Sequence, residues 1–264
     1  MDDRLFVVAA TGCFLAAVVR TLLVMRAGAF RPGGTNFIAI SVGFLLQTAF
    51  LWIRGNEIGR CPITNLFEVF VFLAWSIVLI YMLVGPAYRL SLMGAFTAPL
   101  VSLIQLFALL APVDTAPQVR ARANGWLELH ASMSMIAYGA FALACVAGLM
   151  YLLQERQLKT RQLHSVFQHL PPLHDLFTAI TRLLWLGLAL YTVGLVSGFF
   201  TGQPLPPIKM ICAIAVWVFY CAILCGQHLR RLAPKRVAVL SVFAFAGAVT
   251  VLWGITFVSA GHPI

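Results

Sequence analysis

Eight long apolar stretches, parted by short segments that hold most of the charge, leave this chain few ways to fold. A bilayer's hydrocarbon core, about 30 Å thick, is crossed by roughly 20 mostly apolar residues in a helix. Stretches of that kind lie at 5–25, 35–53, 63–84, 92–111, 129–152, 178–200, 208–228 and 237–260. Hydrophobic residues make up 61% of the 264, charged ones 10%, and the mean hydropathy is +0.94, more apolar surface than a water-soluble chain of this length can cover. The expectation is an all-α polytopic membrane helical bundle of about eight transmembrane helices. No stretch is left for a soluble domain, so residues 1–264 read as a single integral membrane domain. The first span lacks the basic leader of a signal peptide and carries Arg20, Arg26 and Arg31 at its far end, which marks it as a retained helix.

Basic residues give the orientation, because Lys and Arg concentrate in short cytoplasmic connections. With the N-terminus outside, 12 of the 18 basic residues fall inside: Arg20, Arg26, Arg31, Arg89, Arg156, Lys159, Arg161, Arg182, Arg230, Arg231, Lys235 and Arg236. Arg4, Arg54, Arg60, Arg120, Arg122 and Lys209 fall outside, so the bias predicts N-out and C-out. The net charge of +10 is spread over connections that lie beside lipid. Anionic headgroups are its natural partners, and nucleic acid is not.

Five of the six cysteines, Cys13, Cys145, Cys212, Cys221 and Cys225, lie within spans, and Cys61 alone sits in an external connection, which implies no disulfide framework. Cys221, Cys225 and His228 share a helical face but supply only three ligands and no CxxC pair; small core residues beside an interfacial histidine account for them. A nucleotide-binding glycine loop and a nucleophile elbow are both missing from the sequence.

The connection before the third span reads from Ile53 through Cys61-Pro62 to Thr64-Asn65-Leu66-Phe67-Glu68. Pro62 suits a helix start, and Thr64 suits a cap, with Phe67 then third in the helix and no reciprocal acid in a capping box. Glu68, about a turn inside, gains from the helix dipole but needs a partner in apolar surroundings. Arg54, Arg60 or a polar group of another helix can supply it, with Asn65 holding the same outer end together. In the next external connection Asp114 reads as an anchor and Trp126 as an interfacial aromatic.

His130, Met133, Ser134, Ala137, Tyr138 and Phe141 fall on one broad helical face, a pattern that fits helix packing and also a planar cofactor. The connection from Gln154 to Asp175, with His164, His169 and His174 and the interruption Leu170-Pro171-Pro172-Leu173, reads as an interfacial helix and a rigid turn. Lys209 follows a Pro-rich turn and can meet Glu68, a bound carboxylate or the headgroups. Beyond Trp253 and Phe257, His262 emerges on the same outer side as His130. Two imidazoles from different helices suit the two axial positions of haem iron, although spacing alone does not bring them together.

These pieces taken together resemble the cytochrome c assembly family, in particular its compact haem-handling membrane proteins of the CcsA and ResC type. The resemblance rests on Cys61-Pro62-Ile63-Thr64-Asn65-Leu66-Phe67-Glu68, Glu128-Leu129-His130-Ala131-Ser132-Met133 with Tyr138, Gln154-Glu155-Arg156-Gln157-Leu158-Lys159, Leu170-Pro171-Pro172-Leu173, and Lys209 with Trp217 and Tyr220. It implies haem handling or presentation at the outer face of a bacterial inner membrane during cytochrome c biogenesis, with haem b as cofactor. His130 matches the first of the family's external histidines and His262, at an abrupt chain end, matches the second. Tyr138 would help enclose the macrocycle and Lys209 would meet a propionate. Asn65, Glu68, Trp217 and Tyr220 take supporting places. Implied partners are the membrane subunit of cytochrome c synthesis, apocytochrome c and thiol-reducing proteins, in a machinery that ligates haem to apocytochrome, with no catalytic residue assigned here. The sequence departs from the pattern where the family carries a WGxxWxWD segment, since Ser197 through Pro207 has none of its tryptophans nor its aspartate. That departure keeps in view a non-haem small-molecule transporter or a structural subunit of a membrane complex.

Overall fold

The computed structural model describes residues 3–26, 34–84, 93–110, 124–160, 172–202 and 207–260, with the side chains of Met25 and of residues 252–260 left aside. Eight α-helices make up almost all of it, α1 (Arg4–Arg26), α2 (Gly34–Ile58), α3 (Leu66–Val84), α4 (Met93–Leu110), α5 (Gly125–Thr160), α6 (Leu173–Phe199), α7 (Pro207–His228) and α8 (Pro234–Ala260). Each is long and apolar enough to cross a membrane, and the chain is an all-α polytopic membrane protein with eight spans. Arg31, Arg89, Asp114, Arg120, Arg122, Arg161, His164, His169, Pro171 and His262, and the side chains of Trp253 and Phe257, lie outside the described residues.

Three helices, α2, α5 and α6, outrun the hydropathic expectation by five residues or more. Helix α2 continues past residue 53 to Ile58, and Gly59 ends it with a φ of 70°, letting the Arg60 amide donate to the Gly55 carbonyl at 3.2 Å. Glycine adopts this left-handed turn without a Cβ penalty. Helix α5 runs for 36 residues to Thr160, so the charged segment from Gln154 to Lys159 is a continuation of α5 rather than a separate interfacial helix. The ion pair of Lys159 with Glu155 at 2.7 Å, one turn apart, suits a helix leaving the bilayer. Helix α6 starts directly after Pro172, which puts His174 in its first turn.

The helices fall into two compact units, Met1–Ala123 with Gln154–Asp175, and Asn124–Leu153 with Leu176–Ile264. In the first, α1 packs on α2 and α4, and α3 packs on α4 and α2. The ring of Phe14 fills the place that a Cβ on Gly43 would occupy, and the Tyr81 hydroxyl does the same at Gly94. Phe44 stacks on Trp75 at 5.5 Å and Phe50 meets Phe67 edge-on. In the second unit the middle of α5, from Ala137 to Ala147, is buried throughout. Outward-facing residues such as Leu103, Trp52 and Phe243, each about 70% exposed, are the surface that lipid covers.

Candidate functional site

At the start of α3 the sequence builds a closed polar knot. Asn65, not Thr64, is the cap, since its Oδ1 accepts from the Glu68 amide at 2.8 Å and the helix opens at Leu66. Shifting the cap by one residue puts Glu68 third in the helix, from where its carboxylate reaches back past the cap to Thr64. Its Oε2 accepts from both the amide and the hydroxyl of Thr64, each at 2.7 Å. Its Oε1 accepts from Arg54 Nε at 3.0 Å, while Arg54 Nη1 donates to Asp3 at 2.8 Å. Of the partners offered by the sequence, Arg54 meets the carboxylate. Glu68 is wholly buried, so this pairing is what allows its charge to stay out of water. Arg4 lies over the Phe67 ring at 5.2 Å and closes the knot from the α1 side.

The geometry around His130 comes from α5 and α6. Asn124 caps α5, accepting from the Trp126 amide at 3.1 Å, and its Nδ2 donates to the carbonyl of Thr201 just past α6 at 2.8 Å. Trp126 packs on Phe200, 5.1 Å between centroids, so the N-terminal end of α5 is tied to the C-terminal end of α6. One and a half turns on, the partly buried His130 approaches α6 so closely that a Cβ on Gly198 would stand 2.9 Å from its Nδ1. The same holds for Gly194 against Ser134 Oγ at 2.6 Å and for Gly187 against Phe141 at 2.5 Å. The three glycines and their three counterparts repeat the same steps of seven and four residues in opposite directions, the register of an antiparallel helix pair that needs glycine at each crossing.

His130 Nδ1 lies 2.6 Å from the Gly194 carbonyl oxygen. A carbonyl can only accept, so the proton of this bond sits on Nδ1. In the neutral ring Nε2 then carries the lone pair. A backbone carbonyl holding Nδ1–H is the arrangement that orients a metal-ligating histidine and fixes its tautomer. Ser197 Oγ donates to the same Gly194 carbonyl at 2.8 Å. Asn124, Gly194 and Gly198 were not legible as site-supporting residues, although the glycine spacing was present in the sequence.

The other residues singled out from the sequence have more mixed settings. Tyr138, eight residues further along α5, is buried and meets the Tyr191 ring edge-on at 6.0 Å, within the α5–α6 interface. Tyr220 of α7 is buried flat against Phe141, 3.7 Å between centroids, and its hydroxyl has no hydrogen-bond partner among the described residues. Trp217 donates from Nε1 to Thr192 Oγ1 at 2.9 Å, fastening α7 to α6. Lys209 stands half-buried in the first turn of α7. Among the described residues no group of three or more His, Cys, Asp or Glu side chains is gathered closely enough to hold a metal ion.

Residues 63–261 match the family described as Cytochrome C assembly protein. The cytochrome c biogenesis protein CcsA of Rippkaea orientalis is 33% identical over 150 residues, 52% of this chain and 42% of that protein. A CcsA of Synechococcus is 28% identical over 247 residues, 80% of each chain. The protein HemX of Brevibacillus brevis is 27% identical over 168 residues, 63% of this chain and 62% of the relative. With the Rippkaea protein, as with several more of the same name, the match spans less than half of the relative's length.

Proposed function

This chain belongs to the cytochrome c assembly protein family, and from that premise we propose that it handles haem for attachment to apocytochrome c at the outer face of a bacterial inner membrane. The observation that carries the reading is the His130 imidazole, whose Nδ1 is held on the Gly194 carbonyl, so that in the neutral ring Nε2 is the nitrogen left for a metal. The residues fit the group on this ground, since an imidazole oriented through Nδ1 is a ligand that haem iron takes through its other nitrogen.

His130 and His262 would hold the iron in this proposal. With eight crossings the start of α5 and the end of α8 share one side of the bilayer in this reading, and the excess of basic residues in the opposite connections supports taking that side as the outer one. Lys209, at the start of α7 and so at the same level, is suited to a propionate, because an ammonium offsets a carboxylate at the edge of a low-dielectric site. Tyr138 serves the macrocycle from within the helix interface, and Trp217 and Tyr220 brace α7 against α6 and α5 behind it. Asn65 and Glu68 stabilise the start of α3. Bound haem b would supply the iron and the porphyrin edge that is joined to the apocytochrome thiols. The protein's own part is to hold, orient and expose it to a membrane partner of cytochrome c synthesis, while thiol-reducing proteins keep the apocytochrome ready.

The test is purification of the full chain in mild detergent, followed by absorption spectroscopy and pyridine-haemochrome analysis of the parent, His130→Ala and His262→Ala. The parent is expected to carry haem with a Soret band, and each variant to lose most of it while eluting as the same folded species. Haem kept with an unchanged spectrum in both variants removes the two histidines from the iron. A parent that takes up no haem even on reconstitution moves the reading to a non-haem transporter or an assembly subunit.

A further inference from the structure

The turn joining α7 to α8 borders an open basic cleft of about 870 Å³ that plays no part in haem ligation as proposed above. Phe177 of α6, His228, Arg230, Arg231, Leu232 and Arg236 are among the residues lining it. Helix α7 closes in a Schellman turn, with the Arg231 amide donating to Gly226 at 2.9 Å and the Arg230 amide to Gln227 at 3.0 Å. The left-handed position of such a turn normally belongs to glycine, yet here it is Arg230, with a φ of 52°. An arginine held at that steric disadvantage places its guanidinium at the cleft.

Helix α8 begins three residues later, where the Ala233 carbonyl accepts from the Arg236 and Val237 amides. Its first turn has no acidic residue and carries Lys235 and Arg236, so like charges surround the positive end of the helix dipole. Among the described residues none of Arg230, Arg231 and Arg236 has an acidic partner. Three guanidinium groups beside a helix N-terminus make this turn a place suited to an anion. The rim points to the kind of anion. Phe177 and Leu232 form apolar walls, Leu229 beside them is 60% exposed, and the outer face of α7 continues with exposed Phe219, Val218 and Ile211.

We propose that this cleft seats the headgroup of an anionic phospholipid, whose acyl chains lie along the exposed face of α7. The guanidinium groups meet the phosphate as bidentate donors, and the hydrocarbon rim favours a lipid over free phosphate. The assignment is independent of the haem reading and of which leaflet the turn faces.

The experiment takes the full chain in mild detergent, strips it of lipid, adds phosphatidylglycerol or phosphatidylcholine at equal concentration, and counts retained lipid by native mass spectrometry. The parent is expected to prefer phosphatidylglycerol at least tenfold. The combined variant R230Q/R231Q/R236Q is expected to lose the preference, and each single glutamine variant, which keeps the fold, to weaken it severalfold. A charge-matched control, R20Q/R26Q/R156Q, removes as many exposed cations elsewhere and is expected to keep it. Equal retention of both lipids by the parent, or equal loss in the control, overturns the assignment, because either result reduces the turn to diffuse surface charge. Displacement of the lipid by equimolar inorganic phosphate or by haemin overturns it as well, in favour of that ligand.

Discussion

Replacing Gly198 by alanine would put a methyl group 2.9 Å from His130 Nδ1 and 3.2 Å from Cε1. The ring cannot swing away freely, because Nδ1 is tied to the Gly194 carbonyl at 2.6 Å, and any retreat lengthens that bond. Overpacking of this kind costs about 1–3 kcal/mol, and the weakened hydrogen bond adds roughly 0.5–1.5 kcal/mol. Alanine's better helix propensity, about 1 kcal/mol, acts on folding equally with and without haem. Toward the lower end of the range, about 2 kcal/mol set against the seated ring corresponds to roughly 30-fold weaker haem retention. The assay is haem titration into the purified variant, followed at the Soret band. Two further alanines separate the ligand's seat from general packing. Gly187→Ala places its methyl 2.5 Å from Phe141, in the same interface but away from the histidine, and should lower the unfolding temperature while leaving the iron spectrum intact. Gly125→Ala meets nothing within 4 Å and should change neither. If Gly198→Ala binds haem as the parent does, or if Gly187→Ala loses it equally, the close approach at residue 198 has no particular role in holding the imidazole.

Two other expectations follow from the described contacts. Glu68→Ala takes the buried carboxylate away from Arg54 and strips the Thr64 amide of its acceptor, so detergent-solubilised protein should lose about 3 kcal/mol or more of stability. Asp3→Ala, at a site 15% exposed, should cost only about 1 kcal/mol, and equal thermal shifts for the two would refute the network. Tyr220→Phe removes a buried hydroxyl with no partner among the described residues and should leave the unfolding temperature unchanged or raised. A clear fall would mean that the hydroxyl engages a group not described here.

The eight spans were legible because a bilayer imposes length and apolarity on every crossing, and both are properties of composition. Helix ends were less so. The cap of α3 depends on which of two adjacent polar residues turns its side chain back, and Asn65 does so because Glu68 is then placed to collect the Thr64 amide and Arg54 together. The tail of α5 was mistaken for a separate helix because hydropathy marks where the membrane ends, not where hydrogen bonding ends. At the site, His130 could be named from its neighbours, but its anchoring could not. The 7-and-4 glycine spacing on α6 acquires meaning only once paired with the same spacing on α5, and no single-segment pattern contains that register. Arg230 was hidden for a simpler reason, since its left-handed backbone is one that sequence rules reserve for glycine.

The matched teeth of α5 and α6 make that pair intolerant of changes in length. One residue inserted or deleted between 130 and 134 would rotate the imidazole by about 100° about the helix axis relative to everything below it. Ser134 and Phe141 would remain docked in their notches while the ring faced another direction, with hydropathy almost unaltered. A natural variant with such an indel would insert and fold like its parent yet be blind to whatever the histidine grips, and the spacing itself would serve as a marker for telling working copies from silent ones.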